Sequence, residues 1–171
     1  GGTELLAEGG ADSFLHEFKK LDAGSGTYRL TFSGQAVLGE LYVLGAGETP
    51  SWVQQWNPPL EKADMLLAST HADDELLWFG GAMPVYAGQF GKKVQVSYLI
   101  RHGYGRTHEL LDGLWTVGIT NYPILSDFGD KYCSTLKQAY QLYNKNDIMA
   151  WQVALIRRVK PDVVLTQDLN G

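Results

Sequence analysis

The rhythm of apolar positions changes near Pro58-Pro59. Before that point, Thr27-Tyr-Arg-Leu-Thr-Phe32 alternates with period two, the pattern of a strand with one face buried. Gly39-Glu-Leu-Tyr-Val-Leu-Gly45 reads as a second strand, and Gly34 and Gly39 punctuate the region. Residues 12–21 place Phe14, Leu15 and Phe18 on one helical face, so a short helix is expected there. Residues 1–59 are therefore expected to form a small β-rich module. Trp52 and Trp56 lie at its end. They read as packing residues at the junction with the next domain, with stacking on a sugar ring as the alternative.

From residue 60 the pattern alternates between strands and helices. Met65–Ser69 is a continuous apolar run, as expected for a strand buried on both faces. Val94–Ile100 and Asp162–Thr166 are two more strands, the last one started by Pro161. Met83, Tyr86, Ala87 and Phe90 form a helical stripe. Pro84 suits the first turn of that helix, so its start is expected near Gly81. Leu110, Leu111, Leu114 and Trp115 form a second stripe, ended by Gly118. Ser134–Tyr143 and Asp147–Val159 complete the helices. Strand–helix–strand succession implies parallel pairing, and hence a Rossmann-like α/β sheet, here incomplete, with helices on both faces.

The first strand ends in Thr70-His71-Ala72-Asp73-Asp74-Glu75. A buried strand that delivers histidine and carboxylates at its C-terminal end is a common way for α/β proteins to build a site. His71 and Asp74 are three residues apart, so one tight turn can aim both at a single ion, with Asp73 beside it. Imidazole with carboxylate suits zinc, or a neighbouring divalent metal, better than magnesium or calcium. The plainer alternative is a polar turn in which Asp73 or Asp74 caps a helix.

Bulk properties narrow the classes. The 171 residues are 44% hydrophobic, enough for one ordinary domain or a small module plus part of a larger one. A net charge of −5 with no basic tract argues against nucleic acid as a partner. The single Cys133 excludes an intrachain disulfide framework and a cysteine-based zinc site. No apolar run is long enough to span a membrane. The chain opens at Gly1-Gly2-Thr3 and stops at Asn170-Gly171 just after a strand-like run, so both ends are expected to continue in a longer protein.

His71-Ala-Asp-Asp-Glu75, followed by Gly80-Gly81, resembles the His-Pro-Asp-Asp-Glu signature of the PIG-L/LmbE-like N-deacetylases. Arg106-Thr-His-Glu109 is similar to the family's Arg-x-x-Glu at the start of the second helix. The stretch from Asn121 to Asp130 is similar to its substrate loop, and Pro161–Gly171 to the strand leading into its second metal motif. The resemblance spans about residues 50–171, and residues 60–171 would be the N-terminal portion of the deacetylase domain. It implies a zinc-dependent hydrolase that removes acetyl groups from N-acetylglucosamine-type sugars or glycoconjugates. His71 and Asp74 would be metal ligands and Asp73 the general base. Arg106 would contact the substrate, as would Asp127 or Asp130. Glu75 and Glu109 would support the site.

Two departures stand out. Ala72 replaces the family's proline. The family's Gly-His-x-x-His motif, which brings the third metal ligand, would begin where the sequence stops at Gly171. The chain as given is therefore expected to hold zinc weakly and to hydrolyse little. Two competing readings remain. Leu99-Ile-Arg101-His102-Gly103 resembles the Arg-His-Gly motif of histidine phosphatases. A glycan-binding protein without catalysis is the other.

Overall fold

The computed structural model of the protein describes residues 4–168. Two compact units emerge, Gly1–Gln55 and Trp56–Gly171.

The second unit is an α/β fold. Its strands are β1 (Met65–Ser69), β2 (Val94–Arg101), β3 (Ile124–Gly129) and β4 (Val163–Thr166). They form one sheet in the order β3-β2-β1-β4, with every pairing parallel. The chain steps outward from β1 to β2 to β3, then returns past β1 to lay β4 on its other side. With right-handed crossovers, that reversal sends later connections to the opposite face of the sheet. Leu66 shares a cluster with Leu155 and Val159, against which Ala68 and Trp151 pack. Met65, Leu67 and Ser69 point the other way and are buried too. Cover on both faces explains why β1 reads as a continuous apolar run.

The helices are α1 (Asp74–Phe79), α2 (Tyr104–Thr116), α3 (Leu136–Leu142) and α4 (Lys145–Val159). The Thr135 side chain caps α3 by accepting from the Gln138 N–H, and Asn144 caps α4 by accepting from the Asn146 N–H. Lys160 ends α4 in the left-handed conformation, φ 46°, and Pro161 prevents its continuation. The stripe expected to start near Gly81 includes a π-helical turn, Pro84–Gln89, with the proline in its first turn. α1 and α2 approach closely: a methyl group added at Gly113 would lie 2.7 Å from the Leu76 side chain.

Three expectations need correction. The boundary falls at Gln55/Trp56 rather than at Pro58-Pro59. Asn57 bridges to Asn121, and Trp56 stacks edge-on against Trp115 and Tyr122, so these residues belong to the α/β unit. The stretch expected as a substrate loop contains β3. Pro123 precedes the first strand residue, where its missing N–H matters least, and Ser126 is buried within the strand. There the Ser126 hydroxyl donates to the Leu99 carbonyl, beside a register shift between Tyr98 and Ile100.

The third correction concerns the first unit. No helix or strand occurs among its described residues, 4–55, so neither the β-rich module nor the helix over 12–21 is present there. Tyr28, Leu30, Phe32, Leu41, Tyr42 and Val43 are exposed. Alternation gives a segment an apolar face, but a strand also needs a hydrogen-bonded neighbour. Separate side-chain contacts are found in this unit instead. Both Glu17 carboxylate oxygens accept the Gly10 N–H at 2.9 Å, His16 Nδ1 lies 2.5 Å from Gln54 Oε1, and Trp52 packs edge-on with Tyr42.

One buried polar side chain pins the sheet to the segments leading into it. Gln95, fully buried in β2, accepts the Leu60 N–H at 2.7 Å and donates to the Val96 and Tyr122 carbonyls at 2.9 and 3.0 Å. Replacing it by leucine strands those backbone groups. Gln95→Leu is expected to lower unfolding stability by about 2–3 kcal/mol, measured by urea denaturation.

Candidate active site

The strand order reverses at β1, whose neighbours β2 and β4 are laid down on opposite sides. In open α/β sheets, the C-terminal strand ends at such a reversal are where ligands bind. Thr70 and Gln167 sit there. Gln167 Oε1 accepts the Thr70 hydroxyl at 2.7 Å and its N–H at 3.2 Å, tying the two strand ends together. The next residue after Thr70 is His71.

His71 and Asp74 converge as their spacing predicts. Asp74 Oδ2 accepts the His71 backbone N–H at 2.8 Å and lies 3.5 Å from His71 Nδ1. The other ring nitrogen, Nε2, lies 3.6 Å from Asp130 Oδ1. Ser69, buried at the strand end, donates its hydroxyl to the His71 carbonyl at 3.0 Å. The structure thus separates the two aspartates that the sequence left open. Asp130 comes to the imidazole, whereas Asp127 pairs with Arg101 at 2.9 Å.

Asp73 occupies the N-cap position of α1, yet its side chain does not cap the helix. Its carboxylate accepts from Arg106 Nη2 at 2.6 Å instead. Its backbone is strained, at φ 119° and ψ −33°, a region that side chains other than glycine rarely adopt. The polar-turn alternative explains the position of Asp73 but neither the diverted side chain nor the strain.

Arg106 is expected from the sequence to meet substrate. Here it braces the turn. Nη2 also donates to the Ala72 carbonyl at 2.7 Å, while Nη1 donates to Glu109 Oε2 at 2.8 Å. Glu109 therefore supports the site by orienting Arg106. Glu75 supports it from below: fully buried, it accepts the Asp73 N–H through Oε2 at 2.9 Å. Burial pushes the Glu75 carboxyl above its ordinary range, and the adjacent Asp73 charge adds to this.

Of two further contributors, the sequence singled out His102 only within the Arg-His-Gly motif, and Gln167 not at all. His102 Nε2 accepts the Ala72 N–H at 3.2 Å. Burial, then the neighbouring His71, lowers the His102 pKa, which favours the neutral imidazole that such an acceptor needs. This bond exists only because residue 72 is not proline, so the departure at Ala72 was its one available signal. Gln167 had no signal, since its role depends on β4 lying beside β1. Arg101 and His102, read together as a phosphatase motif, have separate partners, Asp127 and the Ala72 amide.

His71 and Asp74 fit a metal as two donors on one turn, imidazole and carboxylate, the chemistry zinc accepts. Among the described residues, no group of three or more histidine, cysteine, aspartate or glutamate side chains stands ready to hold an ion. The last residues of the stretch expected to lead into the second metal motif, 169–171, lie outside the described residues. In comparisons with known proteins, no family model and no curated sequence matches the chain.

Two outcomes are expected. Asp73→Gly and Asp73→Ala lose the same contact with Arg106, but only glycine accepts φ 119° without strain. The glycine variant should be the more stable by about 1–2 kcal/mol in thermal melts, the reverse of the usual order. The second concerns pH. The folded Glu75 pKa is raised above 4.5, so its contribution to stability is fully present below that value and is lost as pH rises through the folded pKa. Glu75→Gln should therefore raise the melting temperature at pH 7, and this advantage should shrink as pH falls towards 4.5.

Proposed function

We propose that the chain carries the metal-binding and proton-transfer part of an amide hydrolase that removes acetyl groups from N-acetylglucosamine-type sugars or glycoconjugates. The observation that carries this reading is the convergence of His71 and Asp74 at 3.5 Å, beside a strained Asp73 held by Arg106. That convergence lies at the sheet edge where α/β proteins bind ligands. The resemblance of His71–Glu75, Arg106–Glu109 and the segment ending in Asp130 to the PIG-L/LmbE-like signature supplies the reaction class.

In this reading His71 and Asp74 hold the ion. A bound zinc supplies a polarised acyl carbonyl and a water acidified to a pKa of about 7. Asp73 would act as the base that takes a proton from the attacking water and returns it to the departing amine, so that amide and water become acetate and free amine. Arg106 keeps the Asp73 carboxylate aimed into the site, and Glu109 keeps Arg106 in place. Asp130 sits beside His71, where an acetamido sugar would be met. Asp127, committed to Arg101, takes the lesser part at the rim.

The test separates ligand from base. In a chain that also carries the Gly-His-x-x-His motif, zinc titrations by calorimetry are paired with assays of acetate and free amine from N-acetylglucosamine compounds. His71→Ala should weaken zinc binding by more than about tenfold. Asp73→Asn should retain zinc and lower turnover by roughly 10²–10⁴-fold. Loss of zinc in Asp73→Asn, or unchanged zinc binding in His71→Ala, would overturn the assignment. Binding of the acetamido sugar without release of acetate, with zinc bound, would favour a glycan-binding role.

A further inference from the structure

Among the described residues, three buried side-chain polar atoms have no partner at hydrogen-bond geometry: Ser97 Oγ and two that concern the site, Glu75 Oε1 and the Tyr98 hydroxyl. Both residues are completely inaccessible to solvent. Each nonetheless shifts the other's titration. Burial pushes the Tyr98 hydroxyl well above its ordinary pKa, and Glu75 is the next largest cause, while the Tyr98 hydroxyl in turn draws the Glu75 carboxyl down. Each is an uncompensated polar group in a dry interior, a situation that native structures rarely tolerate without a reason.

The reason lies one residue away. Glu75 Oε2 accepts the N–H of Asp73, whose φ of 119° needs outside support. Arg106 holds the Asp73 side chain and the Ala72 carbonyl, but among the described hydrogen bonds only Glu75 holds the Asp73 amide. An exposed glutamate would make that bond as one of many rotamers. A buried one, facing Tyr98, has nowhere else to turn. Tyr98 itself is buried in the β1–β2 ladder, in register with Ser69.

We propose that Glu75 and Tyr98 are positioning residues for Asp73: the rigid second strand fixes Tyr98, Tyr98 confines Glu75, and Glu75 holds the Asp73 amide in its strained conformation. The inference rests on the reading of Asp73 as the working carboxylate only for its consequence in turnover. The mechanical claim stands on the contacts themselves.

Amide hydrogen exchange in the full chain, read residue by residue by NMR, tests it. Glu75→Gln keeps an oxygen for the Asp73 N–H and turns an amide group towards Tyr98, so exchange at Asp73 should stay within about twofold of native. Glu75→Ala should speed exchange at Asp73 by at least about tenfold, while Leu67 and Val96 in the sheet keep their native rates. Tyr98→Phe should give an intermediate acceleration confined to the same turn. Native exchange at Asp73 in Glu75→Ala, or no change in Tyr98→Phe, overturns the proposal. If Glu75→Ala loosens Leu67 and Val96 as well, the comparison of Tyr98→Phe with native decides. Acetate release is measured separately. Exchange that follows this order in a chain releasing no acetate leaves the positioning intact and removes only the hydrolase reading.

Discussion

The backbone of Asp73 is the constraint around which the rest is arranged. A conformation of that kind costs an ordinary residue on the order of 1–3 kcal/mol. It persists because neighbouring elements over-determine it. α1 supplies Glu75 to the amide, α2 supplies Arg106 to the carboxylate, and the loop after β2 supplies His102 to the amide just before it. None of these partners belongs to the same element as another, so the turn can relax only if several packed pieces move together. Rigidity of this sort is what a site needs when a carboxylate must stay beside an ion without being drawn into its coordination.

The parallel sheet was legible because burial on both faces leaves a plain mark, the apolar run of β1, and because strands and helices alternate after it. The pairing of His71 with Asp74 was legible for a similar reason: it depends only on a turn three residues long. What escaped was whatever depends on distant elements. β3 was hidden because Pro123 and Gly129 bracket it like a loop. Gln95 looked like an ordinary polar residue, although its side chain satisfies backbone groups of the segments leading into β1 and β3, the neighbours of its own strand. Arg106 was assigned to substrate because an arginine near a site suggests a ligand, and a sequence does not show that three protein oxygens already surround it.

The first unit shows the opposite failure. Its alternating segment has the composition of a strand, and the pattern was read for what it could pair with rather than for what it does pair with. The contacts of these residues are instead between side chains or from side chain to backbone, such as Gly10 with Glu17, His16 with Gln54 and Tyr42 with Trp52. Period-two alternation is a statement about faces, and ladders are made by neighbours.

The bond between Thr70 and Gln167 spans 97 positions of the chain. Closing so long a loop is slow and entropically expensive, and contacts of this separation form late. A ribosome releasing the chain would expose the His71 turn long before β4 arrives to brace it. During that interval the histidine and its carboxylates belong to an unfinished edge, open to any stray ion. The site thus has a history as well as a geometry: its first turn waits for a brace that comes 97 positions later.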